Sequence, residues 1–155
     1  METPQSLMDL HQFLNSKFMI TINKFRVNSL IPKAVEIIKL HEFKKKDSTL
    51  YPDTEKPKTY NGYISSFNAN CIIMTPLSTS IMYNSSKGSS EDKSIVTLWI
   101  LNLLLKENSS LTTKENLSDY IEENTSNGML NTRALINLLT AGNALKLAIR
   151  KFKLV

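Results

Sequence analysis

Apolar residues recur at helical spacing near the start of the chain. Leu7, Leu10, Phe13 or Leu14, and then Phe18 follow Thr3-Pro4, a cap residue and a proline suited to the first helical position, so a helix is expected near 4–17. Residues 18–27 (FMITINKFRV) are rich in β-formers and read as a strand. Pro32 breaks or starts an element. The stretch 34–43 (AVEIIKLHEF) suits a helix through Val35 and Ile38, or a strand through Val35 and Ile37. Residues 44–61 hold two prolines and many turn formers and read as a loop. The clearest hairpin signal is 62–67 and 71–75 joined by Asn68-Ala69-Asn70, and the run 80–83 would extend its sheet.

Residues 84–94 (NSSKGSSEDKS) have no apolar side chain and read as a linker, which would make the rest a separable unit. The pattern then changes. Residues 95–106 (IVTLWILNLLLK) are apolar on nearly every side, so a well-buried helix containing Trp99 is expected. Thr112 and Glu115 match a capping box, opening a helix with Leu117, Tyr120 and Ile121. After Asn127-Gly128, Asn131 can cap a third helix with Leu135, Leu138 and Leu139 on one face and Gly142 as its stop. Residues 145–155 show two short alternations around Arg150-Lys151, as a small hairpin would. The expected fold is α+β: an N-terminal part (1–83) with a small antiparallel sheet, a linker (84–94), and a mostly helical C-terminal part (95–155).

Charge sharpens this division. The chain of 155 residues has a formal net charge of +5. Residues 1–128 balance 14 basic against 14 acidic side chains, whereas 129–155 hold Arg133, Lys146, Arg150, Lys151 and Lys153 and no acid. The whole excess sits at the C-terminus, where it can attract phosphates or an acidic protein surface.

Helix, capped helix, third helix and ribbon follow one another within 95–155. The carrying residues are Ile100, Leu101 and Leu104, then Leu111-Thr112-Thr113 with Leu117 and Ile121. Leu135, Leu138 and Leu139 before Ala141-Gly142 fit the third helix, and Lys146 to Val155 fit the ribbon. This order resembles a winged helix-turn-helix domain, although the 124–130 loop is longer than that motif's turn of about 3–4 residues. The resemblance implies a recognition helix whose polar face, Arg133, Asn137 and Thr140, meets base edges. It implies backbone contacts from Lys146, Arg150, Lys151 and Lys153 on the wing. A second reading stays open. Positions 135, 138, 139, 145, 149 and 152 also fit one long helix with Gly142 inside it, at a cost of about 1 kcal/mol, and the C-terminus is then a basic packing helix for a partner or oligomer.

Catalytic chemistry is not in evidence. There is no P-loop, Gly-rich dinucleotide turn or HExxH motif. His11 and His41 have no metal-ligand spacing. One cysteine, Cys71 in the apolar run CIIM, excludes an internal disulfide and a Cys-based zinc site and reads as a buried inert thiol. Tyr60, Tyr63 and Phe67 fit packing better than base stacking. No window is apolar enough to span a membrane, and the N-terminus lacks a signal-peptide pattern, so a soluble intracellular protein, nuclear or cytoplasmic, is expected. No enzyme, cofactor or metal is expected. The leading expectation is a non-catalytic nucleic-acid-associated protein or complex subunit that binds through its basic C-terminal segment. The alternative is a protein-interaction or assembly module with no nucleic-acid contact.

Overall fold

Asn23 opens the first described helix. Its side chain accepts hydrogen bonds from the amides of Phe25 (3.0 Å) and Arg26 (3.2 Å), two donors that a helix start leaves free. The computed structural model describes residues 21–73 and 75–155; the helix expected over 4–17, with His11, and the start of the strand expected over 18–27 lie outside the described residues. After the cap runs helix α1, Lys24–Leu40, which corrects the strand reading of 18–27 and resolves 34–43 as helix up to Leu40. Its buried positions Val27, Leu30, Ala34, Ile37 and Ile38 repeat every three or four residues. Pro32 lies inside α1 without ending it. It sits on the exposed side, and Asn28, whose carbonyl loses its helical partner, is exposed as well.

The expected hairpin at 62–75 is replaced by helix over 62–73. Strand β1 (Glu55–Lys56) leads into α2, Lys58–Ile73, and α3 covers Pro76–Ser85. Within 62–67 the β-rich composition suggests strands. Over a wider window, Ile64, Phe67 and Cys71 form a buried stripe at helical spacing, with half-buried Tyr60 one turn earlier. The third expected strand, 80–83, belongs to α3, which starts with Thr75 as cap and Pro76 in its first turn.

Helix α4, Ser94–Glu107, forms where the apolar run predicts it. Val96, Thr97, Trp99, Ile100, Leu101, Leu103 and Leu104 are buried. It touches every other described helix. Helix α5 (Leu117–Glu123) begins later than expected. Asn116, not Thr112, is the cap, accepting from the Asp119 amide at 2.9 Å, while Asp119 accepts from the Asn116 side chain. Thr112 instead donates to Glu123. A hairpin follows, β2 (Thr125–Ser126) paired antiparallel with β3 (Met129–Leu130). Asn127 and Gly128 turn it at φ of 53° and 77°, the left-handed pair that Asn-Gly supplies.

Asn131 caps the last helix, its side chain accepting from the Ala134 amide at 2.8 Å. Helix α6 runs from Thr132 to Ile149, so Gly142 is not a stop and the wing expected at 145–155 is absent. The long-helix reading is correct up to Ile149. The chain then turns at Arg150 and forms β4 (Lys153–Leu154), which pairs in parallel with β1, Glu55 opposite Lys153 and Lys56 opposite Leu154. The described residues are thus mostly helical with small two-stranded pieces.

The 84–94 stretch is not a free linker. Helix α3 extends to Ser85, and Asp92 gathers the rest by accepting from the amides of Gly88 (2.8 Å) and Ser94 (2.9 Å) and from the Ser94 hydroxyl (2.6 Å). Ser86 accepts from the Lys93 amide and donates to the Tyr83 carbonyl. Helices on both sides share one apolar cluster from Val27 to Phe152, with α1 and α2 packed directly on α6, so 95–155 is not a separate body.

Gly142 has a packing role. A Cβ there would lie 1.9 Å from Asn68 Oδ1 and 2.7 Å from its Cγ, so α2 and α6 meet closely at this pair. The Asn68 side-chain oxygen and nitrogen are both buried without a hydrogen-bond partner. Gly142→Ala should destabilise the protein by about 1–3 kcal/mol, the usual penalty for overpacking. In an Asn68→Ala background it should instead stabilise by up to about 1 kcal/mol, through helix propensity. Urea denaturation of the four proteins measures this, and equal effects of Gly142→Ala in both backgrounds would disprove the contact.

Candidate functional site

Helix α6 distributes the expected recognition residues over very different environments. Arg133 is exposed in its first turn. Asn137 and Thr140 are buried, 6% and 0% exposed, which corrects their assignment to an outward face. Thr140 donates to the Ile136 carbonyl at 2.6 Å. Asn137 donates to the Tyr120 hydroxyl at 3.1 Å and accepts from Arg26 Nη2 at 2.9 Å. Neither can reach a base edge without unpacking α6.

Asn137 belongs to a network that sequence reasoning missed. Arg26 on α1 forms a two-pronged pair with Glu107 at the end of α4, Nε to Oε2 at 2.8 Å and Nη2 to Oε1 at 2.6 Å. With Asn137 on α6 and Tyr120 on α5, four helices are tied together. Hydrogen bonding to Arg26 holds the Glu107 carboxyl below its ordinary value of 4.5, against an opposing push from burial, and Lys33 adds to the attraction. The same bond raises the Arg26 guanidinium. Beside this network lies a cleft of about 490 Å³ whose lining includes Arg26, Arg133 and Asn137.

The cationic residues near the C-terminus lie at the other end of α6. Arg133 and Arg150 are 17 positions apart in sequence, so at 1.5 Å per residue they are separated by about 25 Å along α6 and its cap. Lys146 and Arg150 are one turn apart on α6 and its cap, followed by exposed Lys151 and Lys153. The β1–β4 ladder adds Lys58, whose amide donates to the Val155 carbonyl at 3.0 Å. Lys58 is exposed and belongs to this edge only through a pairing across almost one hundred residues, so no local signal could have found it. Glu55 faces the edge, 3.8 Å from the Lys153 ammonium.

A buried lysine fastens the edge to the core. Lys56 is 1% exposed, and its ammonium lies 5.3 Å from the Phe43 ring and 5.4 Å from the Phe152 ring. Burial holds it below its ordinary pKa, with Asp53 acting in the opposite direction. The ring of Phe43 continues into Tyr60 (4.6 Å) and Trp99 (5.9 Å), and Trp99 is buried as expected. Phe67 is fully buried and packs on Tyr83, so the Tyr60–Tyr63–Phe67 group is helix packing rather than a stacking platform.

Burial pushes the Cys71 thiol up to about 12, leaving it protonated at neutral pH. Among the described residues no three His, Cys, Asp or Glu side chains are grouped to hold a metal ion, and no helix is long and apolar enough to cross a membrane. No family model, curated protein or solved structure matches the chain.

The Arg26–Glu107 pair has a defined pH dependence. Because the Glu107 value is lowered in the folded state, its contribution to stability is present above 4.5 and is lost as pH falls through the lowered value. Glu107→Gln should cost about 1–3 kcal/mol at neutral pH, less than for a fully buried pair because the two side chains remain 27% and 25% exposed. The gap between wild type and variant should close in acid. Urea titrations from neutrality into acid test this, and a gap independent of pH would refute it.

Proposed function

We propose that this protein is a non-catalytic nucleic-acid-associated subunit that contacts the phosphate backbone through the edge formed by Lys58, Lys146, Arg150, Lys151 and Lys153. One observation carries the reading: the β1–β4 ladder brings a lysine from the middle of the chain beside the cationic C-terminus, with Glu55 as the carboxylate paired to that edge. Such an edge attracts a polyanion by charge and counterion release, without reading sequence. The α4–α5–α6 order supports a distant winged-helix likeness. Burial of Asn137 and Thr140 and the missing wing argue against base readout from α6.

A specific observation favours a second reading, a protein-interaction module. Leu40 and Leu98 are 81% and 47% exposed and line a groove of about 470 Å³ between α1 and α4. Exposed apolar side chains together with a groove fit a protein partner.

Binding to heterologous duplexes across a salt series separates the two. Each phosphate contact contributes about 0.9 to the slope of log affinity against log salt. Changing Lys58, Arg150, Lys151 and Lys153 together to Gln should flatten the slope by up to about 3–4 units, with helical content unchanged. Affinity should be nearly equal for unrelated sequences. No duplex binding at low salt, or binding untouched by the four changes, would remove the nucleic-acid reading and leave the interaction module.

A further inference from the structure

The cleft beside α6 is independent of the basic edge and has chemistry of its own. Its polar wall includes Arg26, Glu107, Arg133 and Asn137, and its apolar wall is Leu111 and Ile136 over the buried Leu104. Arg26 is preorganised. Nε and Nη2 are engaged by Glu107 and Asn137, and Asn137 is itself fixed by Tyr120. Nη1 has no acceptor among the described residues, and the side chain keeps 27% exposure. Arg133 is exposed and has no ion-pair partner among the described residues. Among the lining residues, Arg26 and Arg133 face a single carboxylate, Glu107, so the local balance is positive.

We propose that this cleft binds a small amphiphilic oxyanion, a carboxylate or phosphate monoester on a short apolar chain. The anionic head would pair with the Nη1 donors of Arg26 and with Arg133. The chain would lie on the half-buried Leu111 and Ile136, above Leu104. Holding the guanidinium in place before the ligand arrives lowers the ordering cost of binding. The remaining Nη1 donors of Arg26, together with the Arg133 guanidinium, suit an oxygen anion through charge-assisted hydrogen bonds. The apolar wall selects against inorganic phosphate alone.

Octanoate, octyl phosphate, octanol and inorganic phosphate, each titrated into the full chain by NMR, test this. Octanoate or octyl phosphate should saturate, shifting the methyl groups of Leu104, Leu111 and Ile136 and the amides of Thr132 and Arg133. The tighter of the two identifies the head group. Octanol and inorganic phosphate should bind at least about tenfold more weakly, the loss expected when a charge-assisted hydrogen bond or the apolar contact is missing. Arg133→Gln, a change at an exposed position, should weaken the amphiphile by about tenfold while leaving the remaining spectrum in place. The proposal is overturned if neither amphiphile shifts these signals up to about 10 mM. It is also overturned if octanol binds as well as octanoate, or if Arg133→Gln leaves affinity unchanged.

Discussion

Helix α4 is the element to which the rest must accommodate. Its sequence leaves almost no polar side, and an α-helix apolar all round is stable only when neighbours cover it on most sides. Each large side chain it buries contributes about 1.5–3 kcal/mol relative to exposure, so leaving even one flank bare would be costly. The other five described helices lie against it. This requirement also explains why 84–94 cannot act as a free linker: α3 and α4 must pack on each other, and Asp92 and Ser86 hold the short turn between them. Where cover is incomplete, along Leu98 and Asn102, the surface is left with the groove beside Leu40.

Packing around α4 does not by itself fix how the helices are aligned, because apolar contacts are non-directional. The Arg26–Glu107–Asn137–Tyr120 network supplies direction. It joins the start of α1, the end of α4, the first turns of α6 and the middle of α5 through bonds of 2.6–3.1 Å. A partly buried ion pair of this kind adds little net energy relative to well-packed apolar residues, and its value lies in penalising misalignment. Sliding any of the four helices by one turn would leave a charge or an amide unpaired.

The sequence pattern revealed α4, the Asn131 cap, the burial of Trp99 and Cys71, and the C-terminal concentration of charge, because each depends on neighbours within a few turns. It misled where composition and period disagree. The β-rich letters of 62–75 conceal a helical stripe visible only from Tyr60 onward. On α6, Leu135, Leu138 and Leu139 looked like the core face, yet Asn137, Ala141, Ala144 and Ala148 form an equally buried line at four- and three-residue steps. Small residues on that line allow close helix approach, and this was the signal that Asn137 faces inward. Gly142 read as a stop because its partner, Asn68, is 74 positions away in sequence. The parallel β1–β4 pairing has no local signature, so Lys58 could not be assigned to the basic edge.

Helix α6 therefore separates two kinds of positive charge. At its start, Arg133 stands beside a guanidinium already ordered by the network. At its end, Lys146 and Arg150 lie next to the carbonyls that a helix C-terminus leaves unpaired, where cations are favoured by about 0.3–1 kcal/mol each without any ligand. The second group thus has a structural role that needs no partner, and its presence alone does not argue for one. Lys58 and Lys153 are different. Lys153 sits on β4 and Lys58 opens α2, a helix start where a cation is disfavoured, so neither gains from a helix dipole, and the Lys153–Glu55 contact, at 3.8 Å with the lysine 72% exposed, is too weak to account for them. Within the proposed phosphate-contacting role, Lys58 and Lys153, whose charge the fold does not require, are therefore the residues of the edge to which binding is first assigned.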